Sequence, residues 1–406
     1  MPIDAQEEAM MFERELAAEL RRCAEMLPVV TLLGPRQSGK TTLARAVFPN
    51  HAYANLEDPD TLRLCREDPR GFFAAFPPPV VIDEVQRNPE LLSRIQTMAD
   101  ADQTPGRFIL TGSHQPLLQE KIAQTLAGRT ALCTLLPLSL RELAAGGIRP
   151  DRDTAIFRGG LPRVHASRLP PRRVYGDYLR TYVERDARAL VNISDWTRFE
   201  TFLRLLAGRV GQVLNLQSLA GDVGASSTTL AKWLSVLEAS FVIFRLPPYW
   251  RNFGKRFIKA PKVYFTDTGL AANLLGIDAP EQVGRDPLLG GLFENLVVLE
   301  ALKARLNAGL DPSLYFIRDN SGIEIDLVFD VARRLHLREI KASMTPDLSF
   351  GRHMARLRKA VPDVASCGVY YAGDPWPLPP DGRFVPFCET AADIDGCAAP
   401  VPQPLP

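Results

Sequence analysis

The stretch GPRQSGKT, Gly34–Thr41, follows the apolar run PVVTLL and precedes TTLARAVF, whose apolar residues have helical spacing. The pattern G-x-x-x-x-G-K-[ST] has a physical meaning in this context. A strand, a glycine-containing turn and a helix amino terminus together point several backbone N–H groups at one anion. The stretch therefore predicts a phosphate-binding loop. The alternative is a glycine-containing turn in an ordinary α/β unit, which the flanking strand and helix disfavour.

Each part of this loop has an expected contact with a nucleotide. The glycines let the backbone approach the β- and γ-phosphates, Lys40 neutralises phosphate charge, and Thr41 holds Mg²⁺. We therefore expect ATP and Mg²⁺ as cofactors. The residues expected to contact the nucleotide, one of them on a later strand, are Gly34, Pro35, Arg36, Gln37, Ser38, Gly39, Lys40, Thr41, Thr42 and Ser113.

The segment PVVIDEVQ, which starts at Pro79, places two carboxylates at the carboxyl end of an apolar strand. Acidic strand ends are common as helix caps, but here the phosphate loop lies about forty residues upstream. We expect Asp83 to bind Mg²⁺ together with Thr41. We expect Glu84 to polarise the water that attacks the γ-phosphate, which would make the chain a hydrolase rather than a simple nucleotide binder.

Two further segments carry candidate residues. The strand FILTGSHQ ends in Thr111, Ser113 and His114, any of which could sense the γ-phosphate, while an N-cap role is the alternative for Ser113. Arg129 precedes the apolar run ALCTLLPL. It could act as an arginine finger at the nucleotide of a neighbouring subunit, which implies an ATP-dependent homo-oligomer, or it could be an ordinary surface arginine.

Composition limits the class of protein. The chain has 406 residues, 46% of them hydrophobic and 23% charged, with a formal net charge of +1. This charge gives no global attraction to nucleic acid, so any such surface must be local. Six cysteines without a CxxC pair favour inert thiols in a reducing cytosol. The amino-terminal segment lacks the apolar core of a signal peptide, and no segment approaches the roughly 20 apolar residues of a membrane span. A cytoplasmic protein without membrane contact is expected.

Apolar runs alternate with helical stretches through the first 169 residues, which predicts an α/β domain with a parallel sheet covered by helices on both faces. Residues 170–280 are predicted to form a helical lid and a winged helix-turn-helix, because a helix, a glycine-containing turn, a second helix and a strand follow in that order. Residues 281–390 form a further α/β region, and residues 391–406 are a proline-rich tail expected to be disordered.

Several motifs in this order resemble one family. They are the phosphate loop, VVIDEVQRNPELL, FILTGS, LAGR, LPLSLRE, FRGGLPRV, YLRTYVERDAR, KVYFTDTGLA, LFENLVVLEALK and EIDLVFD with LREIKAS. The chain is similar to the AAA-superfamily ATPases whose carboxyl half is the domain called DUF4143. The resemblance covers nearly the whole chain. It implies an ATPase core, a winged-helix-like region and a restriction-endonuclease-like carboxyl-terminal domain.

The strand LHLREIKAS, Leu335–Ser343, changes from apolar to charged along one face, because Leu335, Leu337, Glu339 and Lys341 alternate with the residues of the other face. Asp326 on the preceding strand, with Glu339 and Lys341, matches the arrangement in which two carboxylates bind Mg²⁺ and a lysine steadies the attacking hydroxide. The resemblance adds Glu294 on the preceding helix as a third metal ligand. The alternative is a plain ion pair of Glu339 with Lys341 or Arg338 at a strand end.

The segment PPYWRNFGKRFIKAPKVYF combines basic and aromatic side chains, which suits a nucleic-acid backbone, although the aromatic residues could instead pack against the next domain. We count Lys262 among the candidate basic residues.

The leading hypothesis is an AAA-type ATPase coupled to a nuclease-like domain that acts on nucleic acid, DNA more than RNA. A second hypothesis is an ATP-gated regulatory or DNA-binding switch with a silent nuclease-like domain. A small-molecule kinase is disfavoured, because no acceptor pocket is apparent in the second half of the chain.

Overall fold

The computed structural model describes residues 12–113, 121–122, 124–184, 196–249, 260–319, 322–361 and 363–397. Most of the predicted basic segment, residues 250–259, lies outside this set, as does His114. In the described ranges, no helix has both the length and the apolar character to cross a bilayer.

A five-stranded parallel sheet forms the amino-terminal part of the chain, with strand order β2-β3-β4-β1-β5. Its strands are β1 (Val29–Gly34), β2 (Ala52–Asn55), β3 (Val80–Asp83), β4 (Phe108–Ser113) and β5 (Thr130–Thr134). The helices of this part are α1 (Leu16–Met26), α2 (Lys40–Val47), α3 (Pro59–Glu67), α4 (Pro69–Ala75) and α5 (Leu91–Ala101). The predicted parallel α/β sheet is confirmed.

Both faces of this sheet are covered by helices, as the near-continuous apolar strands predict. Val29 and Leu33 of β1 pack in one apolar cluster with residues of α3, α4 and α5. Val30 and Leu32 point to the opposite face and pack with α1 and α2. Strands β3, β4 and β1 are neighbours, so their carboxyl ends meet at the middle of one sheet edge. This edge is where open parallel sheets bind ligands.

Helices dominate the middle of the chain. They are α6 (Leu140–Ala145), α7 (Arg152–Arg158), α8 (Pro162–Ala166), α9 (Pro171–Tyr178), which continues as a π-helical turn at Leu179–Val183, α10 (Trp196–Ala207), α11 (Leu216–Val223) and α12 (Ser227–Ala239). Gly224 ends α11 in the left-handed conformation, with φ +69°. A two-stranded antiparallel sheet of β6 (Ile243–Leu246) and β7 (Lys262–Phe265) follows. The order agrees with the predicted helix-turn-helix, whose winged-helix role stays a prediction.

Three helices lead into the last part of the chain, namely α13 (Thr268–Leu274), α14 (Pro280–Val283) and the long α15 (Leu289–Asn307). A six-stranded mixed sheet of order β12-β13-β11-β10-β9-β8 follows. Its strands are β8 (Leu314–Arg318), β9 (Glu324–Val331), β10 (Arg334–Lys341), β11 (Val364–Tyr371), β12 (Trp376–Leu378) and β13 (Gly382–Pro386), and α16 (Arg352–Ala360) precedes β11.

The expectation that residues 391–406 form a disordered tail is wrong for its first part. Helix α17 (Thr390–Cys397) packs on α15 and the mixed sheet. Ala391 and Ile394 are buried, and Asp393 accepts a hydrogen bond from the Nε of buried Arg338 at 2.7 Å. A buried ion pair and apolar residues three apart fix a helix whose sequence alone is only weakly amphipathic.

Candidate active site

The phosphate loop connects β1 to α2, as predicted. Gly39 has φ +93° immediately before the helix, a left-handed conformation that favours glycine. Lys40 is buried, and its Nζ donates hydrogen bonds to the carbonyl oxygens of Gly34 at 3.1 Å and Pro35 at 2.7 Å. Ser38 Oγ also donates to the Pro35 carbonyl, at 2.9 Å. The loop thus folds around the lysine ammonium, which lies where phosphate charge would be bound.

Asp83, at the end of β3, accepts hydrogen bonds from three side chains at the predicted Mg²⁺ site. Its Oδ2 accepts hydrogen bonds from Thr41 Oγ1 and Tyr53 OH, both at 2.8 Å, and its Oδ1 accepts one from Thr111. Burial, together with the Asp83 carboxylate, raises the pKa of Tyr53, so the phenol stays a donor. A hydroxyl and a carboxylate side by side at the end of the phosphate loop fit Mg²⁺ bound with a nucleotide, because Mg²⁺ prefers oxygen ligands and keeps part of its water and phosphate shell.

Glu84 follows Asp83 with φ +59°, so its backbone leaves the strand direction. Its N–H donates to Thr111 Oγ1 at 3.4 Å, and its carboxylate accepts a hydrogen bond from the amide of Gln86. Burial raises the pKa of Glu84, against the opposing effect of nearby cationic charge on the loop. A carboxylate with a raised pKa is better suited to accept a proton from water than an exposed one.

Ser113 ends β4 directly beside Gly34 of β1, and its buried Oγ has no hydrogen-bond partner within the described residues. A free hydroxyl at this position is consistent with phosphate sensing. The alternative N-cap role concerns a segment outside the described residues.

Arg129 lies at the amino-terminal end of β5, next to the first residue of that strand. Because β1 and β5 are parallel, this end is at the sheet edge opposite the phosphate loop. Its guanidinium pairs with Asp100, with Nη2 3.1 Å from Oδ2. This placement does not bring Arg129 to the nucleotide of its own chain, and its role at a neighbouring subunit stays a prediction.

Arg14 contributes to the site in a way that the sequence did not reveal. It precedes α1, and its buried guanidinium donates to the carbonyl oxygens of Ser38 and Leu136, each at 2.6 Å, and to Glu142 Oε1 at 3.0 Å. Ser38 belongs to the phosphate loop, so Arg14 holds the loop against α6. No local motif marks this arginine, because its partners lie 24 to 128 residues away.

Tyr182 of the π-helical turn also contacts the loop. Its hydroxyl accepts a hydrogen bond from Gln37 Nε2 at 3.2 Å, and its ring centroid lies 5.6 Å from the Arg36 guanidinium carbon. The segment predicted as a helical lid therefore reaches the phosphate loop through an aromatic side chain. Single π-helical turns within α-helices are frequently found at functional sites.

A cavity of about 670 Å³ opens beside the loop, between α1 and α2. This volume lies within the range of small-molecule sites. Its lining, largely apolar, includes Phe12, Arg14, Ala17, Gly39, Thr42 and Leu43. The predicted contact residue Thr42 thus faces a cavity next to the phosphate loop.

A second cluster of charged side chains lies in the carboxyl-terminal part, where α15, β9 and β10 meet. The predicted residues come together there. Lys341 Nζ lies 2.7 Å from Glu339 Oε1 and 3.6 Å from Asp326 Oδ2, and the same Asp326 oxygen accepts the N–H of Ile340 at 2.9 Å. Leu335 and Leu337 on the same strand face are buried in the apolar core, so the face changes from apolar to charged as predicted.

The sequence did not show that Lys262 lies at the centre of this cluster. Its ammonium is 2.8 Å from Glu294 Oε1, 3.0 Å from Glu324 Oε1 and 3.6 Å from Asp326 Oδ1. The side chain of Lys262 is only 1% exposed. Its assignment as a candidate nucleic-acid contact is therefore wrong, because a buried ammonium cannot reach a phosphodiester backbone.

This arrangement does not fit a divalent ion as it stands. The ammonium groups of Lys262 and Lys341 fill the space between the carboxylates, and the described part of the chain contains no group of three or more acidic, His or Cys side chains arranged to hold a metal. Burial raises the pKa of Glu294 to about 7 despite Lys262, and burial with the charge of Asp326 raises the pKa of Glu339 to about 8. Glu339 Oε2 is buried and has no hydrogen-bond partner within the described part of the chain.

Three family models match consecutive parts of the chain. The model of a family described as an AAA domain matches residues 27–144. Models of domains of unknown function match residues 149–281 (DUF8612) and residues 289–387 (DUF4143). The uncharacterized proteins Mb2031c of Mycobacterium bovis and Rv2008c of Mycobacterium tuberculosis are each 34% identical to the chain over 374 residues, 90% of this chain and 81% of each relative. The chain belongs to their family, the AAA-domain proteins with a carboxyl-terminal DUF4143 domain.

Other similarities are more distant. An uncharacterized protein of Haemophilus influenzae is 24% identical over 211 residues, covering 48% of this chain and 51% of that protein. Among solved structures, the Walker-type ATPase paby2304 of Pyrococcus abyssi aligns with 65% of this chain and 96% of its own, at 18% identity and a TM-score of 0.42. The STAND protein PH0952 of Pyrococcus horikoshii aligns with 75% of this chain and 50% of its own, at 14% identity and a TM-score of 0.23.

The family assignment places the two clusters in different modules. The phosphate loop and Asp83 lie in the AAA domain, whereas Glu294, Asp326 and Glu339 lie in the DUF4143 domain. Lys262 lies in neither, since it falls in the DUF8612 match. The charged cluster of the DUF4143 domain is thus completed by a side chain from the module before it.

Proposed function

We propose that this AAA-domain protein binds ATP with Mg²⁺ and hydrolyses it. The observation that carries the proposal is the contact of Thr41 Oγ1 with Asp83 Oδ2 at 2.8 Å, directly beside the phosphate loop. A loop lysine, a hydroxyl and a strand-end carboxylate are the parts that a P-loop needs to hold a nucleotide with its metal.

Each residue has a defined role in this proposal. Lys40 Nζ exchanges its hydrogen bonds with the Gly34 and Pro35 carbonyl oxygens for phosphate oxygens. Thr41 and Asp83 would hold Mg²⁺, which supplies charge neutralisation at the phosphates when it is bound. Glu84 accepts a proton from the attacking water, and its raised pKa favours that transfer. The cavity beside Thr42 accommodates the nucleoside.

Two variants test this proposal. Lys40→Ala should abolish nucleotide binding, because it removes the ammonium of the phosphate loop that would neutralise phosphate charge. Glu84→Gln should retain binding and stop phosphate release. Fluorescent ATP titration and a phosphate-release assay separate the two effects. Turnover by Glu84→Gln equal to that of the wild type would contradict the assignment of the base.

For the carboxyl-terminal domain, we propose a regulatory or nucleic-acid-binding role that is gated by the nucleotide, with DNA preferred over RNA. The central position of Lys262, within 3.0 Å of two carboxylates, supports a catalytically silent domain in this conformation. Cleavage of nucleic acid is the second candidate. It is favoured by the juxtaposition of Asp326, Glu339 and Lys341 and by the unpartnered Glu339 Oε2.

One assay distinguishes the two candidates. The full-length protein is incubated with plasmid, linear and single-stranded DNA and with RNA, in Mg²⁺ or Mn²⁺, with and without ATP. A silent domain leaves every substrate intact, while retention of DNA in a gel-shift assay is compatible with the regulatory role. Cutting that disappears in Glu339→Gln, with ATP hydrolysis unchanged, would establish the second candidate instead.

A further inference from the structure

Lys262 is presented to the carboxylates by a short strand that also carries a second donor. Strand β7 places Lys262 and Tyr264 on the same side, two residues apart. The Tyr264 hydroxyl donates to Glu294 Oε1 at 2.6 Å, and Lys262 Nζ donates to the same oxygen at 2.8 Å. The strand therefore supplies both a positive charge and a hydrogen bond to a carboxylate on α15.

The ammonium of Lys262 has the surroundings of a bound cation. Three carboxylates face it at 2.8, 3.0 and 3.6 Å, and the Phe316 ring lies 5.5 Å away. Burial alone lowers the pKa of this lysine, but the surrounding negative charges outweigh that effect and raise it. The lysine therefore stays charged, and a charged, buried side chain with three acidic partners is costly to remove.

Both carboxylate oxygens of Asp326 already have cationic partners. Asp326 directs Oδ1 toward Lys262 and Oδ2 toward Lys341 and a backbone N–H. A divalent ion needs oxygen ligands at about 2.0–2.6 Å, shorter than the contacts made by either ammonium. An ion between these carboxylates would collide with Lys262 and be repelled by its charge. Glu339 Oε2, on a residue that is 6% exposed, is buried and has no hydrogen-bond partner among the described residues.

We propose that the Lys262 ammonium takes the place of a divalent cation in the DUF4143 domain, so that Glu294, Glu324 and Asp326, the carboxylates that face it, bind such an ion only when this ammonium is removed. The proposal concerns the carboxyl-terminal cluster and is independent of ATP hydrolysis. Without the ammonium, the carboxylates of Glu294 on α15 and of Glu324 and Asp326 on β9 face one another with no cation between them at that point. A divalent cation at the position of the ammonium relieves that repulsion.

The test uses full-length protein without nucleotide and the variants Lys262→Met and Lys262→Arg. Methionine keeps an unbranched apolar chain but removes the charge, whereas arginine keeps the charge. Mn²⁺ is titrated in by calorimetry, and the melting temperature is recorded with and without Mn²⁺. Lys262→Met should gain one binding event per chain and a melting temperature that rises with Mn²⁺ concentration. The wild type and Lys262→Arg should show neither, and Lys262→Met combined with Asp326→Asn should lose the gain.

Two results would overturn the proposal. One is a folded Lys262→Met protein, judged by circular dichroism, that binds no Mn²⁺ at millimolar concentration. The other comes from the wild type alone and does not depend on how the variant folds. If wild-type protein binds Mn²⁺ and Asp326→Asn weakens that binding tenfold or more, the cluster already holds a metal beside Lys262. Equal Mn²⁺ titrations of wild type and Asp326→Asn support the proposal.

Discussion

Replacing Arg14 with methionine should weaken both the fold of the AAA domain and its affinity for ATP. The guanidinium of Arg14 joins three parts of the chain, because it donates to the Ser38 carbonyl of the phosphate loop, to the Leu136 carbonyl after β5 and to the Glu142 carboxylate on α6. Methionine retains much of the side-chain volume but none of these hydrogen bonds. The Ser38 carbonyl then loses the donor that fixes its direction.

The expected magnitude follows from burial. The side chains of Arg14 and Glu142 are 7% and 0% exposed, and truncating one partner of such a pair typically costs about 3–5 kcal/mol. Glu142 keeps two backbone donors, the N–H groups of Glu15 and Ser139, each at 2.9 Å. We therefore expect a loss near the lower end, about 3 kcal/mol in the free energy of unfolding. Loss of the loop contact should weaken ATP binding by about tenfold, or roughly 1.4 kcal/mol.

The assay compares Arg14→Met with Arg22→Met, a matched control on α1. Arg22 is 50% exposed and pairs with Glu19, and such a surface pair contributes at most about 1 kcal/mol. Urea unfolding and titration with a fluorescent ATP analogue are recorded for both variants and for the wild type. If Arg14→Met unfolds at the same urea concentration and binds ATP as tightly as Arg22→Met, Arg14 does not hold the phosphate loop.

Three further outcomes are expected. Thr41→Val should raise the Mg²⁺ concentration needed for half-maximal ATPase activity by about tenfold or more, because one oxygen ligand is lost; an unchanged Mg²⁺ titration would exclude Thr41 as a ligand. If Arg129 acts at a neighbouring subunit, mixing Arg129→Ala with Glu84→Gln should partly restore the phosphate-release rate, whereas no recovery, or a protein that stays monomeric with ATP in light scattering, would argue against a shared site. Burial and the charge of Asp326 raise the pKa of Glu339 from its ordinary 4.5 to about 8, so the folded state binds this proton more tightly and stability falls as pH rises between these values. Glu339→Gln should remove this loss, up to about 3 kcal/mol between about pH 5 and pH 8, and parallel urea midpoints of variant and wild type across that range would contradict the assignment.

The sequence predicts what local pattern determines. The phosphate loop and the Asp83–Glu84 pair were found because a strand, a turn and a helix start follow one another within a few residues. The approach of Asp326 to Glu339 and Lys341 was also predictable, since adjacent antiparallel strands with a period of two leave few choices of register.

Contacts between distant segments were not predictable in this way. Arg14 reaches Glu142 across 128 positions, and nothing in its neighbourhood distinguishes it from a surface arginine. Lys262 belongs to a basic and aromatic segment whose composition predicts a nucleic-acid contact, although burial of its side chain excludes that contact. The folding of residues 390–397 likewise depends on Arg338, which lies more than fifty positions earlier. A single sequence carries composition and spacing, but it does not show which charges meet in the interior.

Helix α15 contacts both modules within three turns. Glu294 lies in the charged cluster, while Glu300 Oε2 accepts the Leu140 N–H at 2.8 Å and Lys303 Nζ donates to the Leu138 carbonyl at 2.7 Å, both near the start of α6. Six residues of α-helix span only about 9 Å. Residues 295–305 of this helix are all buried. If α6 shifts by an ångström during the nucleotide cycle, Glu294 would therefore move by a similar distance. Helix α15 would then transmit a displacement from the ATP site to the charged cluster of the DUF4143 domain.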